Sequence, residues 1–140
     1  MFDTVTFDEP ISQIQAGLDR LGGEDREHWT GNALSDRLTE LVQLRERLDA
    51  EIVRVTGEWD RRKAWEADGA LTAVSWITHR LPVSRTRAQE QVRTSRFLDR
   101  NDRPAKALAS GDVSVDHMNA LSRVVNDRRD HLFADHADTL

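Results

Sequence analysis

The chain has 140 residues, of which 38% are hydrophobic and 32% are charged, which suits one globular domain rather than two. It contains no cysteine, and this excludes disulfides, thiol catalysis and cysteine-ligated zinc sites. No apolar run approaches the ~18 residues that a membrane span needs. The first twenty residues are mostly acidic in charge, unlike a secretory signal. We therefore expect a cytoplasmic protein with no membrane partner.

The net charge of −5 conceals an uneven distribution of charge along the sequence. Between His79 and Lys106, eight basic residues stand against three acidic ones, a local balance of +5. Residues 1–78 carry −7 and residues 107–140 carry −3. A basic segment on an otherwise acidic protein is typical of a surface that binds phosphate, so nucleic acid is a candidate partner.

The first half of the chain is predicted to hold two helices. Residues 1–33 form a lead-in, with apolar residues at helical spacing up to Gly22-Gly23, followed by a loop around Trp29. A long helix is predicted from an N-cap at Ser35 to about Lys63. Its apolar residues follow alternating three- and four-residue steps, interrupted at Arg45: Leu38, Leu41, Leu48, Ile52, Val55 and Trp59.

The second half is predicted to form shorter helices. Thr72 and Ser84 are the expected N-caps of two successive helices, separated by Leu81-Pro82-Val83, because the residue before a proline disfavours the helical conformation. The second of these helices is expected to end near Leu98. A loop is predicted over residues 101–104.

A short helix closed by Gly111 and another capped by Ser114 are predicted next. A break at residues 127–130 is then expected before a last helix that begins at Leu132. No strand-like alternation appears anywhere in the sequence. The predicted fold class is all-α: a helical bundle with one long helix and a helix-turn-helix-like segment.

The stretch from Thr72 to Leu98 has the pattern of a helix-turn-helix. Five apolar residues are placed to face inward: Ile77, Leu81, Val83, Ala88 and Val92. Polar residues on the second helix recur at steps of four, four and three, which puts them on one stripe: Arg85, Gln89, Arg93 and Arg96. Two residues depart from the usual pattern, since Pro82 stands where glycine is common and Gln91 where an apolar residue is expected.

Arginine and glutamine on such a stripe are suited to reading guanine and adenine in the major groove. We expect Arg85, Gln89 and Arg93 to face base edges. Phosphate contacts are expected from four further arginines, Arg87, Arg96, Arg100 and Arg103. Arg80 and Ser84 complete the predicted DNA-binding set. The alternative interpretation is a solvated, arginine-rich face on an ordinary helical bundle.

No pattern of catalytic or metal-binding residues is present in the sequence. His131 and His136 are five residues apart, which places them on different faces of a helix. A Ser/His/Asp set, a glycine-rich phosphate loop and a His-Glu-x-x-His pattern are all missing. We therefore predict no metal, no cofactor, no small-molecule substrate and no enzymatic activity.

From Leu41 onward, the order of residues resembles a known family. The stretches LVQLRERLDAEIVRVTGEWDRRKAWEADGALTAVSWITHRLPVSRTRAQEQVRTSRFL and ALASGDVSVDHMNAL are similar to the domain of unknown function 222. That domain occurs in actinobacterial proteins, including the mycobacterial thirteen-E-twelve repeat proteins. The similarity covers about residues 34–140. Its signposts here are Trp65 with Asp68-Gly69, Trp76, Ser84 with Arg85, and Gly111 with Ser114 and His117.

In that family the domain usually precedes an HNH endonuclease domain. The resemblance implies an N-terminal module of a DNA-acting protein, with no nuclease residue in this sequence. The helical domain, residues 34–140, is expected to be incomplete at its C-terminus. Residues 105–121 are also similar to the helices that follow the helix-turn-helix of ParB-type partition proteins, a likeness of fold only.

The expected function is therefore a DNA-binding helical module that contacts duplex DNA. The alternative is a protein-interaction or dimerisation module that uses the long helix from Ser35 to Lys63 and binds no nucleic acid. The two hypotheses are compatible, because helix-turn-helix proteins often bind DNA as dimers.

Overall fold

A computed structural model describes the backbone of residues 4–138 and the side chains of residues 8–128. This part of the chain contains six α-helices, one 3-10 helix and no strand. The elements are α1 (Thr4–Gly22), α2 (Gly31–Arg61), the 3-10 helix (Ala64–Asp68), α3 (Ala73–Arg80), α4 (Arg85–Arg100), α5 (Asp102–Ser110) and α6 (Val115–Asp138). The predicted all-α class, with α2 as its long helix, is confirmed.

Four helix ends that depend on local chemistry were predicted correctly. Three side-chain oxygens each accept the backbone N–H three residues further on: Thr72 (3.0 Å), Ser84 (3.2 Å) and Ser114 (3.2 Å). These bonds satisfy amides that have no partner inside the helix. Gly111 closes α5 with a φ of 82°, a left-handed conformation that glycine adopts at little cost.

The predicted start of α2 is wrong by one turn. The helix begins at Gly31, because the Thr30 hydroxyl oxygen accepts the N–H of Ala33 at 3.1 Å and caps it. Ser35 lies inside the helix, where its carbonyl accepts the Thr39 hydroxyl at 2.9 Å. Of two cap-forming residues five positions apart, the earlier one is used.

Two predicted interruptions are also wrong. Residues 101–104 are not a loop, since α5 begins at Asp102. Pro104 lies in the first turn of that helix, where the missing amide hydrogen removes no helical bond. Residues 127–130 do not end the preceding helix, because α6 continues to Asp138. A loss of apolar periodicity there makes the helix polar without breaking it.

The chain divides into two units, with the boundary after Thr39. The N-terminal unit comprises α1, the turn and the first residues of α2. Among its described side chains, residues 8–39, none is buried. Its apolar face on α1 is exposed at Ile11, Ile14 and Leu18.

The main unit, from Glu40 onward, carries two clusters of buried apolar side chains. One consists of Val53, Leu98, Leu108 and Met118, and the other of Ala73, Ile77, Ala88 and Val92. α4 contributes to both clusters and packs against α3, α5 and α6, so it is the central helix of this unit. No helix in the described part of the chain is long and apolar enough to cross a membrane.

Four of the five residues predicted to face inward in the α3–α4 segment pack in the second cluster. Ile77, Ala88 and Val92 are buried, and Val83 packs against them half-buried. Leu81 does not, because it is exposed in the turn before Pro82. Its backbone N–H closes α3 by bonding to the carbonyl of Ile77 at 2.9 Å.

Candidate nucleic-acid interface

α4 presents a polar stripe of arginines and one glutamine to solvent. Five of its side chains are buried on the sides that face the neighbouring helices: Ala88, Val92, Thr94, Ser95 and Leu98. The exposed stripe between them consists of Arg85, Gln89, Arg96 and Arg100, with Arg93 half-buried beside it. The spacing therefore predicted a real grouping of side chains, and Arg100 belongs to it as well.

Two clefts border this stripe. The α3–α4 cleft, of about 350 Å³, has Arg85, Gln89 and Arg96 along one side and Trp65 and Thr72 on the other. The α4–α6 cleft, of about 370 Å³, is lined by three stripe side chains, by the neighbouring Arg93 and by residues of α6: Gln89, Arg96 and Arg100, then Arg93, with Ser122, Val125 and Asn126. Guanidinium groups thus surround two open concavities on one face of the main unit.

Arg96 is held by a carboxylate of α2. Its Nε and Nη2 donate to Asp60 at 2.8 and 3.1 Å, a two-point contact that fixes the guanidinium plane. Asp60 also accepts the indole N–H of Trp65 at 3.2 Å. The hydrogen bonds from Arg96 hold the pKa of Asp60 below its ordinary value, and those bonds raise the pKa of Arg96. The charge of Arg96 is therefore already compensated within the protein.

Arg93 is partly committed to the contact between α4 and α6. Its Nε donates to the Ser122 hydroxyl at 3.4 Å, and its Nη2 lies 3.9 Å from a carboxylate oxygen of Glu90. Arg123 of α6 binds the same Glu90 oxygen at 2.6 Å. The Nη2 atom of Arg93 is buried and has no hydrogen-bond partner among the described residues. Arg93 and Arg123 thus share the carboxylate of Glu90, and Arg93 lines the α4–α6 cleft.

Some positions of α4 that face the neighbouring helices are polar, because their side chains make hydrogen bonds inside the bundle. The Thr94 hydroxyl donates to the Asn119 amide oxygen at 2.6 Å and lies 3.1 Å from the Ser122 hydroxyl. Gln91 donates to the Thr56 hydroxyl of α2 at 2.8 Å. The glutamine that departed from the helix-turn-helix pattern is therefore a polar contact between α4 and α2.

Three arginines of the predicted set are uncommitted. Arg85, Arg87 and Arg103 are exposed and make no side-chain hydrogen bond or ion pair with the described part of the chain. Arg85 and Arg87 are two residues apart, so they point to different sides of the first turn of α4. Their guanidinium donors are therefore open to solvent on two sides of the same helix end.

Three further members of the predicted set, Arg80, Arg100 and Ser84, have structural contacts. Arg80 stacks over the Trp76 ring at 5.3 Å and lies 3.6 Å from a carboxylate oxygen of Asp68. Arg100 donates to the carbonyl of Arg96 at 3.3 Å. Ser84 uses its hydroxyl to cap α4. These three side chains remain exposed. The side chains of His131 and His136, which were considered as metal ligands, lie outside those that the structure describes.

The structure adds Asp60 and Trp65 to the surroundings of the stripe. Neither was predicted from the sequence, because Asp60 and Arg96 are 36 residues apart and no local spacing links them. The only feature of the sequence that could have indicated this pairing was an acidic residue, Asp60, next to the apolar face of the long helix.

Residues 35–138 match the model of a family described as Domain of unknown function (DUF222). The chain belongs to that family. No curated protein and no solved structure matches it. Both clefts and all nine predicted DNA-binding residues of this DUF222 domain lie within the matched range.

Proposed function

We propose that this DUF222 domain contacts duplex DNA, in the cytoplasm, through the arginines at the start of α4 and on α5. The observation that supports this is the absence of any intramolecular partner for Arg85, Arg87 and Arg103 among the described side chains. Arg96 shows the contrast, since Asp60 neutralises it. An unpaired guanidinium keeps its full charge and five donors for phosphate oxygens.

The place of each side chain on α4 or α5 decides whether we assign it to base edges or to phosphates. Arg85 and Gln89 lie one turn apart on the exposed stripe, so we assign them to base edges. Arg87 and Arg103 lie off the stripe and are assigned to backbone phosphates. Arg93 and Arg96 contribute only if DNA replaces their contacts with Ser122 and Asp60. Arg80 and Arg100 flank this surface with partly satisfied donors, and Ser84 orders the helix end.

The larger context follows from the family resemblance. We propose that the domain is the N-terminal part of an HNH-endonuclease-type protein and that its helix-turn-helix-like segment supplies binding rather than catalysis. α3, the Pro82 turn and α4 have the order that such a segment requires. The role of α4 as the central helix restricts contact to its first turns and to the exposed stripe.

Fluorescence anisotropy with a mixed-sequence duplex at two salt concentrations tests the proposal. The two phosphate contacts of Arg87 and Arg103 predict a slope of log affinity against log salt of about −1.8. The variant with Arg85, Arg87 and Arg103 all changed to Ala should lose most of the binding and most of that slope. The variant with Arg47, Arg54 and Arg62 changed to Ala controls for net charge, because it removes the same charge from exposed positions on α2 and just after it.

Equal loss in both triple variants would show that binding follows net charge alone and would overturn the assignment to α4. Absence of binding by the folded, unmodified protein at low salt would overturn the function itself. The alternative, an interaction module that binds no nucleic acid, is favoured by a separate observation: α2 carries apolar side chains that its own unit leaves exposed.

A further inference from the structure

Within the main unit, α2 carries two apolar faces. The first faces α4 and the core, where Val53 and Thr56 are buried and Gly57 approaches Ser95. The second points about a third of a turn away and is open to solvent at four positions: Leu44, Leu48, Ile52 and Val55. Burial of apolar side chains away from water is favourable, so a face with four exposed apolar side chains is suited to a partner.

The spacing of the second face indicates what kind of partner it fits. Along its seam lie the half-buried Leu41 and the exposed Arg45, Leu48, Ile52 and Val55, at successive steps of four, three, four and three residues. Leu44 lies beside this seam. That average repeat of 3.5 is the pattern of a helix that packs along another helix at a shallow angle. The partner should therefore present a helix of the same repeat.

Arg45 distinguishes between the arrangements of two such helices. It occupies a seam position, it is exposed, and it has no hydrogen bond or ion pair with any described side chain. Asp49 lies one turn further along and is likewise unpaired among the described residues. In a parallel, in-register pair, Arg45 would meet its own copy. In an antiparallel pair centred between positions 46 and 47, each Arg45 lies beside Leu48 and Asp49 of the second copy.

We propose that this face of α2 pairs antiparallel with the same face of a second copy of the chain. Leu41 then packs on Ile52 of the second copy, and Arg45 pairs with Asp49 of the second copy. Each contact occurs twice because the arrangement has two-fold symmetry. The proposal is independent of DNA binding, since no residue assigned to DNA belongs to this face.

Sedimentation equilibrium of the full chain over a wide concentration range is the first test. The unmodified protein should pass from one to two chains as its concentration rises. The double variant Leu48→Glu with Ile52→Glu should remain a monomer at all concentrations. Its helical circular dichroism should be unchanged, because the two side chains are 46% and 43% exposed. Leu121→Glu with Val124→Glu on α6, at 41% and 54% exposed, is the matched control and should still dimerise.

A strict monomer of the unmodified protein would overturn the proposal, and so would a control variant that is monomeric when the α2 variant is not. The direction of the pair is tested with cysteines, since the chain has none of its own. Positions 41 and 52 are about 16 Å apart along a helix, beyond the reach of a disulfide. Leu41→Cys and Ile52→Cys chains should therefore cross-link when mixed but not separately. Cross-linking of either variant alone would indicate parallel pairing and overturn the antiparallel assignment.

The charge pair provides a third readout. Arg45→Glu should weaken dimerisation by about tenfold, because it places like charges together across the interface. The double variant Arg45→Glu with Asp49→Arg should restore it. If Asp49→Arg does not restore the dimerisation lost in Arg45→Glu, Arg45 and Asp49 do not pair across the interface, and the antiparallel arrangement is overturned.

Discussion

The two units of the chain contain the same kind of secondary structure but are stabilised differently. Residues 8–39 carry amphipathic helix and bury no side chain, whereas the main unit buries two apolar clusters around α4. Leu18 of α1 is 58% exposed and Ile77 of α3 is 1% exposed, although both belong to the apolar faces of their helices. Periodicity therefore predicts a helix without predicting whether its apolar face is covered.

Surface interactions hold the turn of the N-terminal unit. The guanidinium groups of Arg26 and Arg37 lie 5.8 and 4.8 Å from the centre of the Trp29 ring. Arg37 and Arg26 also pair with Glu24, and the hydrogen bond from Arg37 is the main reason that the pKa of Glu24 is lowered. Cation–π contacts at exposed sites contribute about 0.5 to 1 kcal/mol each, much less than a buried apolar side chain.

The largest effect is expected from truncation in the second cluster. Ile77→Ala should lower the free energy of unfolding by about 3 to 4 kcal/mol, because it removes three buried methyl or methylene groups and leaves a cavity between α3 and α4. Urea unfolding followed by circular dichroism measures this directly. A loss below about 1 kcal/mol would mean that the cluster does not stabilise the main unit as its burial implies.

A smaller effect is expected from Asp60→Asn. The change keeps the shape of the side chain but removes the charge that binds Arg96, and it should cost about 1 to 2 kcal/mol at neutral pH, since Arg96 is half exposed to solvent. Asp99→Asn is the matched control, because Asp99 is an exposed carboxylate that binds Arg61 at 2.6 Å. The control should change stability by less than about 0.5 kcal/mol.

The effect of Asp60 should also depend on pH. Because its pKa is depressed in the folded state, the stabilisation is present above the unfolded-state pKa near 3.8 and is lost as the pH falls through the folded-state value. The raised pKa of Arg96 adds no dependence in the acidic range, since that group stays charged. The difference between the unmodified protein and Asp60→Asn should therefore shrink below about pH 4. A difference that is constant with pH would exclude an electrostatic origin.

Features set by neighbouring residues were the ones predictable from the sequence. Thr72 and Ser84 cap their helices because the N–H groups they satisfy are three residues away. The stripe from Arg85 to Arg96 follows from helical geometry alone. The pairing of Arg96 with Asp60 and of Gln91 with Thr56 depends on how helices pack, which the order of residues does not encode locally. These pairings determine which arginines remain uncommitted.

The smallest effect is expected in the N-terminal unit and completes the comparison. Leu18→Ala removes as much apolar volume as Ile77→Ala, but from a side chain that is already mostly in water, so unfolding should change by less than about 0.5 kcal/mol. The same urea experiment measures it, at one protein concentration for both variants. A loss approaching that of Ile77→Ala would mean that the apolar face of α1 is covered in solution. The difference in side-chain exposure would then not account for a difference in stability between the two units.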